Sequence, residues 1–354
     1  MKKASTIALV LWSYMNLGYA QTPADDPHWY LYWQDEFTTL NTSNWEVKDN
    51  FDHYGGMVVV YIDDNVYVQN GELVIEVKEE SYSCPGWAIE PNYHCVGQYN
   101  SGSPYSYTSG NVQSATPNIH YGYFEAKIKV PDGHGFWPAF WTFVNTTTNG
   151  TQELDMFEML PGHTHDPQSG IIHDENVASS NWHLSQTTGG GFSTAVATIV
   201  DDYTQWHTWG VEWNSERIIY YVDGQPYRIF DNEGFFDPTK LIFNIALNPW
   251  IQPQQWSSSD FPSTMNIDYV RYYRPHLDCN TNLYACNYDF SNHDNKVKKN
   301  IVISSGCSNS LSVGDDVHLR SNTGVDIVGD FYVPIGAELF LDGTPCPASK
   351  PGRL

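Results

Sequence analysis

Positive charge is scarce in this chain. Lysine and arginine number 17 among 354 residues against 41 aspartates and glutamates, for a formal net charge of −24. Such a field repels polyphosphate and anionic headgroups, which excludes nucleic acid and acidic membrane surfaces as partners. Beyond the first twenty residues no run of about eighteen apolar residues occurs, so no transmembrane segment is expected. Long amphipathic helical periodicity is also missing, which argues against a helix-rich fold. Cysteine is limited to six residues, none in the paired CxxC spacing of a zinc site.

What is present begins with MKKASTIALVLWSYMNLGYA, where Lys2 and Lys3 precede an apolar run that ends in small residues. That is the form of a secretory signal peptide, residues 1–20, cleaved after Ala20. Six cysteines suit the oxidising compartment that export implies. Cys84 and Cys95 flank a Pro/Gly/Asn-rich loop and are expected to pair. Cys279, Cys286, Cys307 and Cys346 leave three pairings open.

From about residue 29 to 274 the pattern alternates with period two. NVYVQNGELVIEVK (65–78) places two such runs about an Asn-Gly turn, a hairpin signal. YGYFEAKIKV, WHTWGVEWN, RIIYYVDGQPYRIF, LIFNIAL and MNIDYVRYY continue it. So many strands at short intervals imply an all-β fold, a two-sheet sandwich over residues 21–275. After Pro275 the chain turns polar, and 276–300 reads as a linker. Residues 301–354 alternate again and read as a small β-rich accessory module of short rungs. Aromatics make up 15% of the chain, with 13 Trp and 24 Tyr, enough to fill a β core and also pave a surface.

The segment TQELDMFEML (151–160) sets three acids among large apolar residues. In a regular strand Glu153 and Asp155 share one face and Glu158 takes the other. If Met156 or Phe157 is the extra residue of a β-bulge, the parity shifts and Glu158 rejoins the other two, while Leu154 and Met159 stay on the apolar face. Three acids so placed repel one another. Burial and a neighbouring anion both raise a carboxyl pKa, so one acid stays protonated while another ionises. Glycoside hydrolysis with retention needs that split at a carboxyl separation of about 5–5.5 Å. The Glu153 and Glu158 Cα atoms would lie roughly 13 Å apart, a gap that inward-leaning side chains on a curved strand can narrow.

ELDMFE resembles the bulged E-x-D-x-x-E signature of glycoside hydrolase family 16. GYFEAKIKVPDGHGFWPAFWTF is similar to the family's lead-in to its catalytic strand, and WQDEF, WGVEWNSERIIYYVDG and MNIDYVRYY are similar to its flanking strands in the same order. Over about 30–274 the resemblance implies a concanavalin-like jelly roll that cuts a β-linked glycan internally with retention. It further implies Glu153 as nucleophile, Asp155 as its supporting acid and Glu158 as general acid/base. Lys127 and Asn111 stand where many members carry arginine, a departure that bears on fine substrate choice.

Glycan clefts are paved with aromatic faces. Trp137 and Trp141, four apart in FWPAFW, share a face if extended, with Trp137 the better platform and Trp141 open to a core role. His173 in GIIHDE resembles a family position near the acid/base. Trp182 and His183 in SNWHLS are candidates for the cleft rim, and Trp250 and Trp256 for a loop at the cleft. A structural calcium on the far face is common in the family, with Glu36, Asp268 and the Gly71 carbonyl as loosely matching oxygen donors. No catalytic metal is implied. The expected partner is a polysaccharide, met by a secreted monomer, with the C-terminal module binding glycan, guiding secretion or holding the protein at the cell surface. Laminarin-like β-1,3-glucan leads. Marine galactans (agar, porphyran, carrageenan), transglycosylation and a non-catalytic lectin on the same sandwich remain open.

Overall fold

In the computed structural model, residue 24 and residues 29–343 are described, except 53–57, 85–88, 91–92, 96–102, 116–118, 134, 148, 160–176, 187–188, 193–195, 200–201, 215–216, 248–255, 276–277, 289, 291–294, 304–305, 314 and 322. The leader and its cleavage site therefore lie outside the described residues. No described helix is long and apolar enough to cross a membrane. The chain divides into two compact units, the larger built mainly from 31–274.

The larger unit is a sandwich of two sheets. One runs, in order of neighbours, through Gly189–Phe192, Val177–Gln186, Gly150–Met159, Phe136–Thr146, Lys240–Leu247, Asn111–Ser114 and Trp45–Val47. The other runs through Gln225–Asp231, Arg217–Val222, His207–Trp213, Gly122–Lys129, Ser263–Pro275 and Glu72–Tyr82 to Tyr105–Ser109. The Asn-Gly signal is confirmed as a hairpin turn. Asn70 and Gly71 take φ of +56° and +81°, the left-handed pair that a two-residue turn between twisted strands requires.

Alternation explains the core. Phe140 and Phe243 on adjacent strands stack at 4.6 Å, and Phe157 meets Trp209 of the facing sheet at 4.9 Å. All four are essentially without solvent contact. Burying each such ring contributes about 1.5–3 kcal/mol, so this aromatic seam fixes the registers that orient the opposite face. Trp45, Phe124, Val211 and Val270 extend the same cluster. The predicted Cys84–Cys95 disulfide is present.

The smaller unit differs from the sequence expectation. Asp278–Ala285 and Asn295–Ile303 are strands that pair in parallel, so much of the stretch read as a linker belongs to this unit. Asp316–Ser321 and Glu338–Gly343 continue the parallel stack over a core of Ile301, Ile303, Val317 and Leu319. In parallel rungs the partner lies one turn of chain away, so the polar Asn and Lys of 276–300 hid strands that need no local hairpin. Among the four later cysteines, Cys286 bonds Cys307, and Cys346 lies outside the described residues.

Candidate active site

The acid-rich segment is the strand Gly150–Met159. Its register with Phe136–Thr146 runs Phe143↔Glu153 and Trp141↔Asp155, then jumps to Phe140↔Phe157 and Ala139↔Glu158. The other neighbour shows the same step, from Asp155↔Asn181 to Glu158↔Ser179. Met156 is the extra residue. Leu154, Met156, Phe157 and Met159 all enter the core, and the two consecutive inward residues return Glu158 to the face of Glu153 and Asp155.

An open cleft lies on that face. It is lined by the three acids, by Trp137, Ala139 and Trp141, and by Tyr61, Asn111, Asn244 and Ala246. The Trp137 indole donates to Glu158 Oε1 at 3.1 Å. Trp141 donates to Asn244 Oδ1 at 2.8 Å, and the Asn244 amide donates to the Tyr61 hydroxyl at 3.1 Å. His183 pairs in register with Glu153, and its Nε2 stands 3.8 Å from Glu153 Oε1 and 3.6 Å from Asp155 Oδ2. The Asn181 amide contacts the same nitrogen at 3.2 Å.

Burial governs the electrostatics. It raises the Glu153 pKa to about 8, with repulsion from Glu158 adding to the effect. Glu158 is raised to about 7, again by burial, and the Trp137 donation partly offsets the rise. Asp155 is also pushed up, by burial first and then by Glu158 and Glu153, while the Arg228 charge works against it. Groups this close titrate as a unit, so these values belong to the trio, which holds protons in common through neutrality. Burial lowers the His183 pKa and favours the neutral ring.

Of the residues proposed from sequence, Glu153, Asp155, Glu158, Trp137, Trp141 and His183 come together here. Trp182 does not. It pairs with Leu154, so it points into the sandwich, stacking on Phe230 at 5.8 Å and meeting Phe235 edge-on at 5.7 Å. Trp256 is likewise a core residue, edge-on to Tyr107 at 5.0 Å. A Cβ at Gly135 would sit 2.1 Å from its indole nitrogen, so glycine admits the ring. His173 and Trp250 lie outside the described residues. Lys127 also stands away from the cleft, on the other sheet, where it holds Asp268 Oδ2 at 2.8 Å. Asn111 does line the cleft. Asn244 and Tyr61 were missed. The signal for Asn244 was a lone amide inside LIFNIAL, on the face opposite Leu241, Phe243, Ile245 and Leu247.

The calcium donors do not form a cation site. Asp268 is neutralised by Lys127, and Glu36 Oε1 accepts from Arg271 Nη2 at 2.9 Å and Nε at 3.0 Å. Gly71 occupies its hairpin turn. A donor set whose two carboxylates already carry cations does not fit calcium.

Comparison with known proteins agrees with this geometry. The family model for glycosyl hydrolases family 16 matches residues 54–271. A beta-glucanase of Rhodothermus marinus is 30% identical over 275 residues, 70% of this chain and 86% of that protein. Glucan endo-1,3-beta-glucosidase A1 of Niallia circulans is 29% identical over 285 residues, 69% of this chain, but the match spans only 38% of that relative's length. Among solved structures, the laminarinase catalytic domain of Thermotoga maritima superposes with a TM-score of 0.53 at 26% identity, covering 70% of this chain and 99% of that one.

Proposed function

The chain belongs to glycosyl hydrolase family 16, and from that premise we propose that it is an exported endo-glycosidase cutting a neutral β-1,3-linked glucan with retention. The bulge at Met156 carries this reading, because it alone brings Glu153, Asp155 and Glu158 to one cleft. In the first step a Glu153 carboxylate oxygen bonds the anomeric carbon as the bond to the leaving glycan breaks. Glu158 gives its proton to the departing oxygen. Water then attacks the same carbon, Glu158 takes a proton from it, and the ester to Glu153 opens to regenerate both groups. Asp155, set between them, and His183, beside Glu153 and Asp155, order the charge on the nucleophile. Trp137 and Trp141 offer ring faces to the sugar, and Asn111 and Asn244 offer amides to its hydroxyls.

A neutral substrate is favoured by what lines the site. None of the described cleft residues is lysine or arginine, whereas a sulfated galactan needs cations to offset its sulfates. The net charge of −24 works in the same direction. Similarity to two glucanases and a laminarinase supports β-glucan. A kappa-carrageenase of Pseudoalteromonas carrageenovora, 28% identical over 261 residues, keeps galactan as the second reading. A leader of secretory form supports export, and the parallel-stranded unit is a surface-anchoring or glycan-holding module in this scheme.

The test is hydrolysis of laminarin, mixed-linkage glucan, agarose, porphyran and carrageenans by the parent protein, Glu153→Gln and Glu158→Gln. Laminarin is expected to be cleaved fastest by the parent, and each variant to lose at least about a thousandfold in kcat. Binding without cleavage by the parent would make the protein a lectin, and faster cleavage of a sulfated galactan would reverse the substrate assignment.

A further inference from the structure

A bulge disturbs the hydrogen-bond ladder on both sides, and buried carbonyls at the irregular step need donors from elsewhere. Here the donors come from the opposite sheet. The Tyr227 hydroxyl donates to the carbonyl of Met156, the bulged residue itself, at 2.6 Å. Arg228 Nη1 donates at 2.7 Å to the carbonyl of Ser180, which faces the bulge between the partners of Asp155 and Glu158. The Tyr220 hydroxyl donates to the Asn181 carbonyl, next along that strand, at 2.8 Å.

Consecutive residues of a strand do not normally enter the same core, yet Tyr227 and Arg228 both do. Their own strand is bulged: Tyr220 pairs with Arg228 and Tyr221 with Pro226, leaving Tyr227 as the extra residue. One bulge thus sends two adjacent side chains inward to meet the backbone of another. The face that Glu158 occupies depends on the second bulge staying in register, since a one-residue slip would turn its side chain into the core.

From this juxtaposition we infer that Tyr227 and Arg228 are positioning residues for the cleavage reaction, holding the Met156 bulge from behind so that Glu158 stands at its working distance from Glu153. The inference rests on the assignment of Glu153 and Glu158 as the reacting acids. Neither positioning residue lines the cleft, so substrate binding is left largely alone, while a carboxyl displaced by about 1 Å costs on the order of a hundredfold in rate.

The experiment is steady-state kinetics on laminarin and thermal melting for Tyr227→Phe, Arg228→Lys and Tyr272→Phe, with Glu153→Gln and Glu158→Gln alongside. Tyr272 is the control: its hydroxyl reaches the Tyr121 carbonyl at 2.6 Å and the His120 carbonyl at 3.0 Å in the bend before Gly122–Lys129, and accepts from Arg274 Nε at 3.2 Å, a buried tyrosine-to-carbonyl contact remote from the Met156 bulge. Well below the melting temperatures, Tyr227→Phe is expected to lower kcat about 10- to 100-fold with KM within about twofold. Arg228→Lys, which keeps the charge and moves the donor, shifts kcat in the same direction by at least about threefold. Tyr272→Phe melts earlier and keeps parental kcat. Parental kcat in both Tyr227→Phe and Arg228→Lys, or an equal kcat loss in Tyr272→Phe, overturns the positioning role. Full activity in Glu153→Gln or Glu158→Gln would instead remove the reading beneath it, so the two failures are distinguishable.

Discussion

At the scale of single residues the site turns on Trp137, proposed as a ring face for a sugar and seen as the donor that restrains Glu158. Its hydrogen bond lowers the Glu158 pKa against the larger upward push of burial. Replacing it with phenylalanine keeps a ring and removes the donor. The Glu158 pKa then rises further, so the acid form persists to higher pH, and the alkaline limb of the kcat profile on laminarin is expected to move up in Trp137→Phe. KM should rise severalfold, since the smaller ring covers less of the sugar. A limb that stays in place or moves down would separate Trp137 from the acid. Residue roles were unevenly legible in the sequence. The three acids stood out because carboxylates are costly in an apolar strand. Trp182 and His183, adjacent and both candidates, could be separated only once the register assigned Trp182 to Leu154 and His183 to Glu153. Trp256 looked like cleft paving because a tryptophan filling a core and one stacking a sugar are the same letters.

At the scale of elements the decisive object is one inserted residue in one strand. The spacing of ELDMFE made a bulge necessary if the acids were to meet, and the sequence left Met156 and Phe157 as equal candidates. The register with Phe136–Thr146 selects Met156, because Phe157 keeps its pairing with Phe140. What no local pattern revealed was the support behind it, since Tyr227 lies 71 residues away in sequence from the carbonyl it holds. Deleting Met156 tests the element directly. Asp155 would then be followed at once by Phe157, and the regular pairing Trp141, Phe140, Ala139 would keep Phe157 inward and Glu158 on the face of Glu153 and Asp155. The deletion is therefore expected to retain laminarin cleavage, measured by reducing ends, at a reduced rate because the carboxyl separation changes. Complete loss of cleavage in a folded deletion variant would mean that the common face of the acids does not rest on this parity.

At the scale of the whole molecule, alternating runs and an Asn-Gly turn were enough to announce a sandwich, and their order along the chain announced its family. The second unit was harder to read because parallel rungs leave no hairpin signature, and a polar stretch that pairs with distant rungs looks like a tether. Excess acid spread over the chain, with no described cation lining the cleft, fits a neutral polymer held by rings and amides rather than by ion pairs. The central claim is that Glu153 bonds the anomeric carbon in a groove it shares with Glu158. The most direct measurement is intact-mass and peptide-mapping spectrometry after treatment with a 2-deoxy-2-fluoro-β-laminaribiosyl fluoride, which leaves its glycosyl group on the nucleophile as fluoride departs. One glycosyl group per chain, esterified to Glu153, is the predicted result; a label on Glu158 or another residue would contradict the account.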